Sequence, residues 1–103
     1  MNDPLDVDAA KSREAQRKDA QRADALKADN DFRWIMADAR GRRVIWQLLI
    51  EAGIYRSSFA ADPAVTAFNE GKRDAGLRLL AKLTSITPDE YLQMQKENTS
   101  ANS

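Results

Sequence analysis

The chain has 103 residues, with 16 Lys or Arg, 16 Asp or Glu, and neither Cys nor His. This length allows one small domain, and a formal net charge of zero gives no overall attraction to nucleic acid or to an anionic membrane. Without cysteine or histidine the chain cannot form thiolate nucleophiles, disulfides or the usual zinc sites. We therefore expect no enzymatic activity, no catalytic residues, no cofactor and no bound metal.

Membrane and export signals are also missing from the pattern. The N-terminus has no basic segment followed by an apolar one, and the longest apolar run, residues 44–50, is interrupted by Gln47. We expect neither a signal peptide nor a membrane span.

Residues 1–30 are predicted to form a charged helical arm. Ala, Lys, Arg, Asp and Gln dominate this segment, and Leu5, Val7 and Leu26 are its only larger aliphatic residues. Helix propensity is high, and Glu14 and Lys18 are spaced to pair on one helix face. Because this helix has no apolar face to bury, the arm is expected to be flexible and solvated, or ordered by a partner.

Residues 31–97 are predicted to form a small bundle of three to four short helices, so that the fold class is all-α. Asn30 or Asp31 is expected to cap a short first helix that contains Phe32, Ile35 and Met36, with a bend or a continuous run at Gly41. The segment 40–52 is the most strongly amphipathic of the chain, and we expect it to be the central helix. Its predicted apolar arc consists of Val44, Ile45, Leu48, Leu49 and Ala52. Gly53 stands where a left-handed C-cap is needed.

Two later helices have clear start signals. Asp62 followed by Pro63 predicts a helix to about residue 84, and the segment 87–90 (TPDE) is a capping box that opens a last helix. Residues 98–103 are expected to be a disordered polar tail. In the connection 54–62, Tyr55 and Phe59 are expected to pack on the core; the alternative is an exposed aromatic pair that binds a partner.

The helix from Pro63 carries two glycines, each of which costs about 1 kcal/mol relative to alanine. Close approach of another helix would offset that cost, so we expect the small side chains around Gly71 and Gly76 to pack against Trp34 or Trp46. Lys72 falls at the centre of the same apolar face, where an unpaired ammonium group is unfavourable. We expect it to pair with Glu51 or Asp38, with Asn69 bonding a neighbouring loop, or to meet another subunit.

Three strings carry a family resemblance: GRRVIWQLLIEAGIYRSSF, FNEGKRDAGLRLLAKL and TPDEYLQMQKE. Together they resemble a family of small proteins from the virion gene clusters of tailed bacteriophages, chiefly podoviruses, named after a Bordetella phage protein. The resemblance covers about residues 32–97. The matching positions are Gly41, Arg42, Arg43, Trp46, Gly53, Ser58, Phe59, Asn69, Glu70, Gly71, Lys72 and Arg73.

The resemblance indicates the location and the assembly role of the protein more than a biochemical activity. It indicates a virion-associated structural or internal protein, located at the portal and head-to-tail region or ejected with the genome, and found in the host cytoplasm during assembly. Its implied partners are portal or internal proteins, or further copies of itself in a homo-oligomer. The alternative is an infection-stage regulator that binds DNA or a host enzyme, with nucleic acid a secondary partner. Candidate interaction residues are Arg42, Arg43, Trp46, Tyr55, Phe59, Asn69, Lys72 and Arg73.

Deleting residues 1–29 is expected to leave the helical domain folded, because the arm contributes almost no apolar surface. Far-UV circular dichroism and thermal unfolding of the truncated chain test this. A truncated chain that no longer unfolds cooperatively would show that the arm belongs to the core.

Overall fold

The structure, a computed structural model, describes residues 4–99. These residues form helices α1 (Pro4–Ala37), α2 (Ala39–Ala52), α3 (Pro63–Ile86) and α4 (Pro88–Thr99), without a strand among them. The predicted all-α fold, a long helix followed by a small helical bundle, is confirmed. By its backbone contacts the chain divides into two units, Met1–Asp31 and Phe32–Ser103, and each is described by itself.

The first unit is helical and solvent-exposed. Every side chain from residue 5 to residue 28 is exposed. Lys18 pairs with Glu14 at 3.6 Å and Arg22 with Asp19 at 3.4 Å, both pairs lying within the helix. Exposed pairs of this kind contribute only a few tenths of a kcal/mol, roughly 0.3–0.5. Helix propensity and these local pairs therefore account for the helical conformation of this segment.

The predicted helix start at Asn30 or Asp31 is wrong, because α1 continues through both residues to Ala37. The break comes instead at Asp38, whose backbone is extended and whose carboxylate accepts a hydrogen bond from the Arg40 amide at 2.8 Å. That hydrogen bond is the main reason why the pKa of Asp38 is lowered. Asp38 is thus the N-cap of α2.

Gly41 allows α2 to approach the end of α1. A Cβ atom at this position would overlap the backbone carbonyl of Ile35, so any other residue would push the two helices apart. The chain direction changes three residues earlier, at Asp38, and Gly41 itself is helical. A glycine is required at position 41 because the two helices pack closely there, and not because the chain turns there.

The core of the second unit draws on every helix. Its buried apolar residues, among those described, are Met36, Ile45, Leu49, Ile54, Leu83 and Met94. Helix α2 packs against both α3 and α4, as expected for the central helix. The predicted apolar arc is too wide, however, since Val44 and Leu48 are about half exposed. The helices α3 and α4 cover the side of α2 that carries Ile45 and Leu49, and leave the Val44 side open.

The helix ends with strong local signals lie close to their predicted positions. Gly53 adopts a left-handed conformation, with φ of 76°, and caps α2. Asp62 caps α3 through the Ala64 amide, with Pro63 at its start, and α3 ends at Ile86. Thr87 is buried, and its hydroxyl donates to the Leu83 carbonyl at 3.0 Å, so its side chain closes α3 just before Pro88 opens α4.

The expected disordered tail is wrong for residues 98 and 99, because α4 includes both. The Asn98 side-chain amide donates to the Met94 carbonyl at 2.7 Å, and the Thr99 hydroxyl donates to the Gln95 carbonyl at 2.6 Å. These polar side chains bond the last helical turn instead of leaving it open. Residues 100–103 of the predicted tail lie outside the described residues.

Arg42 joins three helices through one guanidinium group. Its Nε and Nη2 atoms donate to the two carboxylate oxygens of Glu97, at 2.6 and 3.1 Å, and its Nη1 donates to the Met36 carbonyl at 2.8 Å. Only 13% of the Arg42 side chain and 28% of the Glu97 side chain are exposed. The two-pronged hydrogen bond raises the pKa of Arg42 and lowers the pKa of Glu97. This contact fixes α4 against α2 and the end of α1.

Gly76 is a point of close contact between α3 and the C-terminal end of α2. It is buried, and an added Cβ would lie 2.6 Å from the Ala52 Cβ and 2.7 Å from the Ile54 Cγ2. The expected tryptophan contact is wrong, since Trp34 is 79% exposed and Trp46 packs against Tyr55. Close approach needs a small residue on both helices, and a tryptophan would prevent it.

Gly76→Leu is expected to destabilise the chain by about 1–3 kcal/mol, because the leucine would overpack the contact with Ala52 and Ile54. Chemical denaturation measures the change. Gly71→Leu is the matched control: an added Cβ there meets no atom within 4 Å, so helix propensity alone predicts a gain of roughly 0.5–1 kcal/mol. Equal destabilisation by both substitutions would contradict the packing account.

Glu97→Gln is expected to make stability less dependent on pH in the acid range. The pKa of Glu97 is lowered in the folded chain from an ordinary value of 4.5, so its contribution is present above that value and lost as the pH falls through the folded pKa. The free energies of unfolding at neutral and at acidic pH should therefore differ less in this variant than in the unmodified chain. Glu70→Gln, at an exposed position of α3, is the control and should change nothing.

Candidate partner-binding site

A polar cleft of about 250 Å³ lies in the second unit, between the end of α2, the connection 54–62 and the N-terminal half of α3. We call it the basic cleft. Its lining residues are Ala52, Gly53, Arg56, Ser57, Ser58, Asn69, Lys72 and Arg73. Three of these side chains are positively charged, and none of the eight lining residues within 4–99 is acidic.

The connection forms one wall of the cleft through specific hydrogen bonds. After the left-handed turn at Gly53, the Arg56 amide donates to the Gly53 carbonyl at 3.1 Å. Further on, the Thr66 hydroxyl accepts from the Ala60 amide at 2.9 Å and donates to the Ala60 carbonyl at 3.1 Å. These bonds hold the connection against the first turns of α3, so its serines stay beside the cleft.

Asn69 also ties the connection to α3. Its side-chain amide donates to the Ser58 carbonyl at 3.4 Å, which confirms the predicted bond to a neighbouring loop. The side chain is half-buried and faces the cleft at the same time. Asn69 therefore has a structural contact, and its amide remains close to any group that enters the cleft.

The positive charges of the cleft are not neutralised within the described chain. Among residues 4–99, no carboxylate lies within 4.0 Å of the charged groups of Arg56, Lys72 or Arg73. The expected pairing of Lys72 with Glu51 or Asp38 is wrong: Lys72 is exposed, and Asp38 pairs with Arg40 at 3.7 Å. The Lys72 ammonium instead lies over the Phe68 ring, 5.2 Å from its centre. An exposed ammonium needs no buried partner.

Two phenylalanines stand next to the cleft, and we call them the apolar margin. Phe59, which follows the lining residue Ser58, is 81% exposed, and Phe68, which lies under Lys72, is 66% exposed. The prediction that Phe59 packs on the core is therefore wrong. Phe68 lies on α3 one helical turn before Lys72, and within residues 32–99 no other helix covers it. Exposed aromatic residues beside polar groups are typical of interaction surfaces.

Tyr55, in contrast to Phe59, packs partly against other residues of the second unit. Its ring lies 5.5 Å from the Trp46 ring, and the nearby Tyr91 hydroxyl accepts a hydrogen bond from the Gln95 side-chain amide at 2.9 Å. Burial, and then the nearby Tyr55 hydroxyl, raises the pKa of Tyr91 to about 12. Half of the Tyr55 side chain remains exposed. Trp46 and Tyr55 thus form an internal contact that reaches the surface.

Only three of the sequence-predicted interaction residues meet in the cleft: Asn69, Lys72 and Arg73. Arg42 is occupied by Glu97 and Met36, so the structure gives it an internal role. Arg43 is exposed on α2 and does not line the cleft. Sequence reasoning missed Arg56 and Ser57, although a basic residue close behind a C-cap glycine is a usable signal, since it can meet the negative end of the helix dipole.

A second exposed area is larger and apolar. It is a hollow of about 730 Å³ in the second unit, formed where the end of α1 meets α2, and its lining includes Trp34, Ile35, Gly41 and Val44. Trp34 is mostly exposed at its edge. The expectation that Trp34 or Trp46 packs on the glycines of α3 gave no indication of this hollow.

The side chains that line the basic cleft are suited to binding an anion. Its arginines, lysine, serine hydroxyls and asparagine amide all offer hydrogen-bond donors. Among residues 4–99, no group of three or more acidic side chains is arranged to hold a metal ion. None of the helices formed by these residues combines the length and the apolar character that a membrane span needs.

The fold and the cleft together define a small all-α domain with a surface suited to binding. The family model of the Bbp19-like phage protein matches residues 32–96, which is more than half of the chain. The chain therefore belongs to this family of bacteriophage proteins, and the resemblance drawn from the three sequence strings is confirmed. No curated protein and no solved structure matches the chain.

Proposed function

We propose that this phage protein is a structural or internal component of the virion that acts by protein–protein contact and has no catalytic role. In this proposal it is located at the portal and head-to-tail region of a podovirus, or is ejected with the genome. Its partners are portal or internal proteins, or further copies of itself in a homo-oligomer. The observation that carries the proposal is the exposed aromatic surface next to an unneutralised basic cleft.

The size of the core supports a role in an assembly. Six apolar residues are buried among those described, while Trp34, Phe59 and Phe68 are mostly exposed. A domain this small gains limited stability from its own core, and burial against neighbouring subunits would add to it. Large exposed aromatic residues are also those that contribute most at protein interfaces.

The alternative is an infection-stage regulator that docks on DNA or on a host enzyme. The observation in its favour is the group of unpaired cations at the cleft, since Lys and Arg contacts to phosphates supply most of the affinity in non-specific DNA binding. The zero net charge of the chain is against it, because a polyanion is attracted by the whole protein surface.

Quantitative mass spectrometry of purified particles of the encoding phage and of infected-cell lysate separates the two functions. A virion component should be present in particles at a fixed ratio to the portal protein. The phage's replication polymerase, measured in the same samples, controls for carry-over from the lysate. Abundance in the lysate with no excess over this control in particles would contradict the virion assignment and favour the regulator.

A further inference from the structure

We propose that the basic cleft binds a carboxylate of a partner protein, while Phe59 and Phe68 contact apolar residues beside that carboxylate. This inference rests on the proposed function, since it names the kind of protein segment that the surface would recognise. The segment is acidic and apolar: one Asp, Glu or C-terminal carboxylate next to at least one large apolar side chain.

The charges of the cleft call for an anion. Arg56, Lys72 and Arg73 line one small space, and no carboxylate of residues 4–99 lies within 4.0 Å of them. Like charges held close together repel one another, and a bound anion reverses that effect. Arginine presents its donors as a planar fork that fits a carboxylate, and the same chain shows this geometry at Arg42 and Glu97.

The size of the cleft limits the ligand. Its volume of about 250 Å³ is below the roughly 300–1,000 Å³ of pockets that enclose drug-sized molecules. A single carboxylate-bearing side chain fits such a space, and the serine hydroxyls and the Asn69 amide would donate to its second oxygen or to its backbone. The rest of the partner must then lie outside the cleft, over its margin.

The margin favours a protein over a nucleic acid. Phe68 lies directly under the Lys72 ammonium and Phe59 follows Ser58, so both rings are adjacent to the cleft and exposed. An exposed aromatic ring beside a positive charge can contact an apolar side chain of a partner while the charge pairs with a neighbouring acidic residue. A nucleic acid would bring many phosphates, and the acidic Glu70 and Asp74 on the same helix, with a net charge of zero, would oppose them.

The test is a titration of the isotope-labelled full chain followed by two-dimensional NMR. Hydrocinnamate supplies a carboxylate and an aromatic ring, hydrocinnamyl alcohol supplies the ring without the charge, and acetate supplies the charge without the ring. Hydrocinnamate should shift the amides of Gly53, Ser57, Ser58 and the Asn69 side chain in a saturable way. Acetate should bind the same place more weakly, and the alcohol should not saturate it.

Variants show whether the named residues are responsible. The double variant Lys72→Gln with Arg73→Gln should bind hydrocinnamate at least roughly tenfold more weakly, because both charge-assisted contacts are lost. Arg78→Gln is the matched control, since it removes an exposed positive charge of the same helix outside the cleft lining. Phe68→Ala should weaken hydrocinnamate binding and leave acetate binding unchanged. Circular dichroism confirms that each variant is folded.

Three results would overturn the inference. They are the absence of saturable shifts at the cleft with hydrocinnamate, equal binding by the double variant and the unmodified chain, or saturation by inorganic phosphate or a short oligothymidylate but not by carboxylates. The last result would assign the cleft to phosphate groups, and the two phosphate probes would distinguish a free anion from a nucleic acid. Because the titration uses the purified chain, its failure is independent of whether the protein is found in virions.

Discussion

The bundle depends on one guanidinium group that holds three helices. Arg42 bonds both carboxylate oxygens of Glu97 on α4 and the Met36 carbonyl at the end of α1. Apolar contacts in so small a core are not directional, and they alone would allow α4 to slide or rotate on α2. The planar guanidinium group has fixed donor directions, so its hydrogen bonds to Glu97 and to Met36 permit one arrangement of α4 on α2. The pair is partly shielded from water, and its hydrogen bonds compensate for much of the lost hydration.

Once α4 is fixed, the exposed surface follows from the lengths of the other two helices. Helix α2 has 14 residues and α3 has 24, so at about 1.5 Å per residue they span roughly 21 Å and 36 Å. The C-terminal end of α2 lies against Gly76, past the middle of α3. The N-terminal half of α3 therefore extends past α2, and within residues 32–99 its apolar face continues without another helix to cover it. Phe68 is exposed and Lys72 is solvated for this one geometric reason.

The sequence predicts what is encoded in neighbouring residues. Gly53, Asp62 with Pro63, and Thr87 with Pro88 lie at helix ends because their backbone preferences act locally, and each end is found where expected. The break at Asp38 was missed because helix-forming alanines flank it on both sides. The contact between Arg42 and Glu97 joins residues 55 positions apart, and no local pattern shows it. A helical wheel gives the apolar face of a helix but not the length of its neighbour, which explains the wrong expectations for Val44 and Lys72.

The second unit contains two kinds of positively charged side chain: one kind is paired within the chain, and the other has no carboxylate partner among residues 4–99. Arg42 shows that this chain can neutralise a cation internally, with a carboxylate at 2.6 Å and a backbone carbonyl at 2.8 Å. Arg56, Lys72 and Arg73 are grouped in a cleft whose lining contains no acid among residues 4–99; Lys72 lies over the Phe68 ring, and none of the three forms an ion pair with a carboxylate of those residues. Residues 32–96, which match the family model, include the cleft and all six buried apolar residues of the core. The first kind of cation holds the helices together, and the proposed carboxylate binding would give the second kind its partner.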